Sequence, residues 1–516
     1  MTRSIANLSV RIEDERGIQT PARVYLTDST SNNPVYAKEV IIYDKKSRKN
    51  GVEEKHFVPP NGEFEVDLPP GNYDLVIERG KEYVPVHETI AMVSEKRSVT
   101  VRLRRWVDMR GRGWYSGDMH LHRPLRDVGA LMKSEDLAVS IPVTRWKANE
   151  TFQEDPDLGS FLALTDEDGT IRGDQDRFFP VVNEELEPRT SALIASYVGK
   201  SGVRLEYPLA QFGRTVGEAG GLSDSEKATS LELPALAALG SCQTVGLANN
   251  HLWRAGAFTG AWGAWPEHML NRYPSSCESY VGAGFEMFAA LLNMGFRLAP
   301  SAGSASGVHP VPPGWSRVYV HSKGPLEPKS WFDALKEGRC FVTTGPMLLL
   351  KVNGLEPGES ERMNGTPIRL QVDLEILSLK PITTAEVVIN GVPHQLTLTA
   401  KPGEPYATTG SENFDVGSSA WVAARWSQGD GGRCDAAHTG AVYFWNGDES
   451  IPVDIHQGRL LLGHVESLIE LVKSDNTQWM GFPVQPETRD QALKDLERAR
   501  EIYKQKVAWT ATGRKG

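Results

Sequence analysis

The sequence predicts a multidomain α/β plus β protein, with a central α/β part flanked by β-sandwich modules. Three observations carry this. Short alternating apolar runs between Pro- and Gly-rich turns fill residues 1–104. From Trp106 onward, strand-like runs alternate with helix-like ones, the pattern of an α/β domain. Beyond Leu350 the short β runs return, and they give way near the C-terminus to two helical stretches.

In the first module the runs are Leu8–Ile12, Ala22–Leu26, Glu63–Leu68, Tyr73–Ile77 and Ser98–Leu103, separated by turn signals such as Pro59-Pro60-Asn61-Gly62 and Pro69-Pro70-Gly71-Asn72. Strands this short and this regularly spaced predict a small sandwich. In residues 105–350 the expected order begins with a strand at Asp118–His122, a helix at Val128–Val139 and a strand at Ser140–Thr144. It continues later with a helix at Leu231–Leu239, a strand at Thr244–Asn249 and a helix at Ser279–Met294. Residues 351–455 read as a second β module, with runs at Ile368–Ile376, Ala385–Ile389, Trp421–Arg425 and Ala441–Trp445 and an Asn390-Gly391 turn. Residues 456–516 hold an amphipathic helix at His456–Leu471 and a charged one at Pro486–Val507, expected to pack on the α/β part.

With 516 residues the chain is long enough for two to four domains. A net charge of −10 argues against nucleic acid as a partner, and no apolar run is long enough for a membrane span. The N-terminus has no apolar leader, so a cytoplasmic location is expected unless a signal peptide has been removed. The oligomeric state is not legible. Four cysteines lie far apart with no CxxC pairing, which disfavours a cysteine-rich zinc site and predicts buried free thiols. The 13 tryptophans suit either core packing or pocket walls that stack on flat or sugar-like ligands.

The chemistry centres on GWYSGDMHLH, residues 113–122. On a strand, Asp118, His120 and His122 share one face, and two imidazoles so placed can grip one metal. Twelve histidines in 516 residues give roughly 0.3 such pairs by chance, so the spacing alone is weak and its surroundings must decide.

SGDMHLHRPLRD resembles the first motif of the PHP (polymerase and histidinol phosphatase) metallohydrolase superfamily, usually G-D-x-H-x-H with a following Asp. The later runs LLNMGFRLAPSAGSASGVHPVPPGWSRVYV and GRCFVTTGPMLLLKVNG resemble its CehA/McbA-like branch, and GEFEVDLPPGNYDLVIERG resembles carboxypeptidase-regulatory, transthyretin-like modules. The resemblance implies a distorted (β/α)7 barrel flanked by β-sandwich modules, with metal ligands at strand C-terminal ends. It implies hydrolysis of phosphoesters or, in this branch, of ester, amide or carbamate-like bonds. His120 and His122 match the first motif. Asp127 sits where the family's Asp follows, as a ligand, an acceptor for a histidine N–H, or a helix cap. The family's bridging glutamate corresponds to Glu185 or Glu184, unless PVVNEELE is a solvated acidic loop. Its Ala-His ligand corresponds to His251, unless that histidine is structural and held by Asn249 and Asn250.

Two family motifs are broken. T-D-H reads Val143-Thr144-Arg145-Trp146, replacing two ligands with a guanidinium and an indole; an alternative alignment on Leu164-Thr165-Asp166-Glu167-Asp168-Gly169 reads better as an acidic hairpin turn. G-S-D-x-H reads Gly303-Ser304-Ala305-Ser306-Gly307, with His309 two residues beyond as a replacement ligand or an ordinary loop histidine. The expectation is therefore a reduced site holding one divalent ion (Zn, Mn or Fe) on His120, His122, His251 and Glu185. Arg145, Glu185 and His309 are the candidate catalytic groups, with Asp118 also a candidate proton shuttle. Trp146, Asn250, Trp253 and Arg254 would bind a small-molecule substrate, anionic or sugar-like. The expected function is metal-dependent hydrolysis. The competing readings are a carbohydrate-active lyase or glycosidase using the same pocket, and a non-catalytic binding protein on a degenerate barrel.

Overall fold

In the first module, alternation becomes two facing sheets. The computed structural model describes residues 5–47, 51–93, 96–174, 176–253, 273, 276–365, 367–429, 433–474 and 479–511. Strand Ala6–Glu13 lies between Glu63–Leu68, antiparallel, and Arg97–Arg102, parallel. The opposing sheet runs Ile41–Lys46, Glu53–Val58, Arg23–Asp28, Gly71–Glu78, Val86–Met92. Glu63–Leu68 alternates strictly, with Phe64, Val66 and Leu68 turned inward. These meet Leu8, Val10 and Ile12 and, from the other sheet, Val24, Phe57, Leu75 and Ile77 in one core.

In the central part, strand Trp114–Leu121 is buried along its whole length because it has neighbours on both edges. Val139–Pro142 pairs with it in parallel and Arg317–His321 antiparallel. Helix Leu125–Ser134 connects the two parallel strands. A second sheet runs Thr151–Glu154, Arg145–Ala148, Glu184–Glu187, Leu193–Ser196, Leu222–Ser225, Thr244–Asn249, Ala299–Gly303. Its pairing is mixed: Leu193–Ser196 is antiparallel to both its neighbours. Backbone hydrogen bonds join the two sheets at two places. Thr144 and Arg145 N–H donate to Asn183 O, at 2.9 and 3.1 Å. Ala305 N–H donates to His120 O and His122 N–H to Ser306 O, both at 2.7 Å.

The first of these sheets continues through Cys340–Thr343 into Cys434–Thr439, Ala420–Gly429, Thr384–Ile389 and Val392–Thr397. The C-terminal β region therefore shares a hydrogen-bonded sheet with the α/β part, and strand Met347–Val352 crosses the point where the sequence pattern changes. A four-stranded sheet containing Met347–Val352 and Ile368–Leu377 packs on this extension through Leu348, Leu350, Val372, Val387 and Val422. Helices Ile455–Lys473 and Pro486–Ala511 close the chain. Tyr503 Oη–H donates to Pro234 O at 2.8 Å and Arg214 pairs with Asp495 at 3.1 Å, anchoring the last helix to the α/β part.

The expectation of four free thiols needs correction. Cys242 and Cys340 are free and buried, but Cys277 and Cys434 are disulfide-bonded, with Cα atoms 5.7 Å apart. The pairing was hidden because 157 residues separate the two, and the sheet extension brings them together. A non-reducing digest should yield the linked peptide, and Cys434→Ser should destabilise the fold by about 2–4 kcal/mol. Recovery of both residues as free thiols would contradict the pairing.

Candidate metal centre

Strand order and strand parity build the site. His120 lies near the end of Trp114–Leu121 and His122 one residue past it. The Gly303–Gly307 turn packs against both. A Cβ at Gly303 would stand 2.4 Å from the His120 Cβ, and one at Gly307 (φ +111°) 1.8 Å from the His122 carbonyl oxygen. Only glycine lets the turn approach this closely. Asp118 holds this packing together. Its carboxylate accepts from His120 N–H (3.1 Å), Ser304 N–H (2.9 Å), Ser304 Oγ–H (2.6 Å) and Gly314 N–H (2.7 Å).

Register then decides which glutamate enters. Trp146 pairs with Glu185 and Arg145 with Glu184, so the two pairs point to opposite faces. Glu185 and Trp146 face the histidines: the Trp146 and His122 ring centroids are 4.8 Å apart. Arg145 faces away, bound to Glu154 and Glu184, each at 3.1 Å, and to Ser201 O. Its guanidinium is paired with these carboxylates and lies outside the histidine–glutamate cluster.

His120 Nε2, His122 Nε2 and one oxygen of Glu185 converge. The two nitrogens are 2.8 Å apart, and Glu185 Oε2 is 3.0 Å from His122 Nε2 and 3.4 Å from His120 Nε2. Among the described residues this is the group of three or more metal-ligating side chains. Glu226, just past strand Leu222–Ser225, stands 3.1 Å from His120 Nδ1, and Lys227 pairs with Glu226. Burial opposes a charged His120, but Glu185 and Glu226 outweigh it and push the imidazole up to about 10. Burial holds His122 below the usual histidine range against the pull of Glu185. Burial likewise opposes the Glu185 carboxylate, yet His120 draws it down to about 2. Glu187 shares the Glu185 face and accepts from Trp146 Nε1–H at 2.8 Å; burial and the charges of Glu185 and Glu226 push it up to about 8.

These residues fit a divalent cation. Two imidazole nitrogens and a carboxylate are a common zinc, manganese or iron donor set, and on a tetrahedral ion with bonds of about 2 Å such atoms lie about 3.3 Å apart. Glu226 Oε2 is sealed from solvent without a hydrogen-bond partner among the described residues, and Glu185 Oε2, equally sealed, meets the two histidine nitrogens. A buried carboxylate oxygen left this way calls for a cation or water. The carboxylate on the far nitrogen of His120 is the arrangement that fixes the tautomer of a metal-binding histidine.

The remaining candidates lie elsewhere. His251, in the turn Asn250–Leu252, is outside the cluster and stacks on Tyr280 at 5.5 Å. Asn250 is fully buried, with neither amide atom hydrogen-bonded to a described residue. His309 is also outside the cluster. Its backbone is held in a tight turn, its N–H donating to Ala305 O and its carbonyl accepting from Tyr43 Oη–H. Trp253 packs edge-on to Trp315 at 5.1 Å. Arg254 lies outside the described residues. Asp127 sits in the first turn of helix Leu125–Ser134 but does not cap it; Asp155 Oδ2 accepts from Leu125 N–H at 3.1 Å instead. Residues 165–169 form a turn, Gly169 N–H donating to Asp166 O. Sequence reasoning missed Glu226, Lys227 and Glu187. Their signal was a charged side chain at or just past a strand, too common to single out.

No family model and no curated protein matches the chain. Among solved structures, a streptococcal ancillary pilin aligns at 15% identity over 23% of this chain and 38% of its own, TM-score 0.16. The phospholipase PlaB of Legionella pneumophila aligns at 15% over 21% and 26%, TM-score 0.14. Apo β-glucuronidase 3 of Bacteroides uniformis aligns at 11% over 86% and 64%, TM-score 0.17. The chain thus spans less than two thirds of each, and at these scores none bears on fold or function.

Proposed function

We propose that this protein is a metal-dependent hydrolase of the PHP type, holding one divalent ion on His120, His122 and Glu185 and acting on an ester, amide or carbamate-like bond of a small molecule. The observation that carries this is the convergence of three ligand atoms, on buried His120 and Glu185 and half-buried His122, with Glu226 placed behind His120. The hydrogen bonds joining the two central sheets at Asn183 and at His120 support reading them as a distorted barrel, with the site where strands end. A divalent ion there would supply Lewis-acid polarisation of the scissile group. The chain's own residues do the rest. Glu226 and Lys227 fix the His120 ring, Asp118 and Ser304 hold the strand end, and Trp146 covers His122 and orients Glu187. No helix among the described residues is long and apolar enough to cross a membrane.

The test is turnover of nitrophenyl ester, carbamate and phosphoester probes before and after chelation. The proposal expects turnover of at least one probe, a fall of about 100-fold on chelation, and recovery with added Zn²⁺ or Mn²⁺. Turnover indifferent to chelation would overturn it, as would none with any probe by metal-loaded protein.

A further inference from the structure

A second site stands apart from the metal centre. A cleft of about 670 Å³ opens where the N-terminal module, the α/β part and the C-terminal β region meet. That volume is typical of small-molecule sites, which favour junctions of this kind. Trp106, Trp253, Trp315 and Trp426 line it, and none of the three proposed metal ligands does.

Its charges are unevenly satisfied. Of the carboxylates lining it, Glu78 and Glu135 are held by Arg23, and Glu54 by Tyr25 Oη–H and His56. The cations are not matched in the same way. The Arg433 guanidinium lies 3.5 Å over the Trp253 ring and Lys81 Nζ 5.2 Å from the Trp315 centroid. Neither makes an ion pair with a carboxylate of the described residues. Burial, and then the nearby Arg317, push the Lys81 ammonium down to about 7 against the pull of Asp435, so a bound carboxylate would hold the proton on it. Asp435 is the remaining acid; its carboxylate accepts from Thr344 Oγ1–H at 3.4 Å and acts on Lys81 through space without forming an ion pair among the described residues.

We propose that this cleft is a binding site for a small molecule with a flat or cyclic body and a carboxylate, the ring lying among the tryptophans and the carboxylate meeting Lys81 and Arg433. Trp106 and Trp426, the half-buried pair, leave indole surface open, and such surface stacks on aromatic and sugar rings alike. Two cations on the walls of one cleft, without a carboxylate ion pair among the described residues, select an anion over its neutral counterpart. The site is independent of the metal centre.

Full-length protein titrated with benzoate and glucuronate, and with benzyl alcohol and glucose as neutral counterparts, tests this by ligand-observed NMR. At least one acid should bind, about tenfold or more tighter than its neutral counterpart. Benzoate alone would mark an aromatic acid and glucuronate alone a sugar acid. Lys81→Met and Arg433→Gln should each weaken binding about tenfold with the circular dichroism spectrum as in the parent, and chelation should leave binding unchanged. Binding of neither acid at about 10 mM, a weak-fragment concentration, would overturn the proposal. So would equal binding of neutral and acid, binding indifferent to both substitutions, or binding abolished by chelation.

Discussion

Asp136→Asn is expected to destabilise the protein by about 3–5 kcal/mol, the range for removing one partner of a buried charge network. Asp136 is 2% exposed and stands at the junction of the first module and the α/β part. Its carboxylate accepts from Arg105 at 2.9 Å and Arg177 at 2.7 Å, with Arg110 at 3.4 Å and Arg79 at 3.7 Å. The backbone there has φ +50°, which asparagine adopts as readily as aspartate, so the substitution removes charge and leaves the turn intact. Without it, partly buried guanidiniums face one another. Burial opposes the carboxylate, but the arginines, Arg110 first, hold it well below the usual range. Its stabilisation is therefore complete above the unfolded value near 3.8 and is lost as pH falls toward the lower folded value. Denaturant titration checks this. A change under about 1 kcal/mol, the size for a surface pair, would show that the network does not join the two regions.

His122→Ala is expected to abolish stoichiometric metal binding, because it removes one of three converging donors, while the circular dichroism spectrum stays as in the parent. Glu226→Gln should weaken metal affinity by about 10–100-fold without removing a ligand, the usual effect of altering the partner of a metal-bound histidine. Competition with a fluorescent zinc chelator measures both. Equal affinity for the parent and Glu226→Gln would mean that Glu226 only packs against His120.

How much of this was readable depends on the range of the interaction. Strand Thr244–Asn249 and the helices around Ser279–Met294 and His456–Leu471 follow from local periodicity, and all are present. His120 and His122 were legible because two residues on a strand return to the same face and because the motif around them, SGDMHLHRPLRD, resembles a metal-binding one. The choice between Glu184 and Glu185 was not, because it turns on the register Trp146↔Glu185, set by sheet neighbours and not by the segment itself. The same parity sends Arg145 away from the site. Glu226 reaches His120 through sheet order alone. So do Cys277 and Cys434, and the strands that carry the central sheet past residue 350.

The most direct test of the metal centre is anomalous scattering from crystals of the full-length protein supplied with Zn²⁺ or Mn²⁺. The account predicts one strong peak within about 2.0–2.3 Å of His120 Nε2, His122 Nε2 and a Glu185 carboxylate oxygen. Crystals with no peak there, or with the ion bound elsewhere, would contradict it.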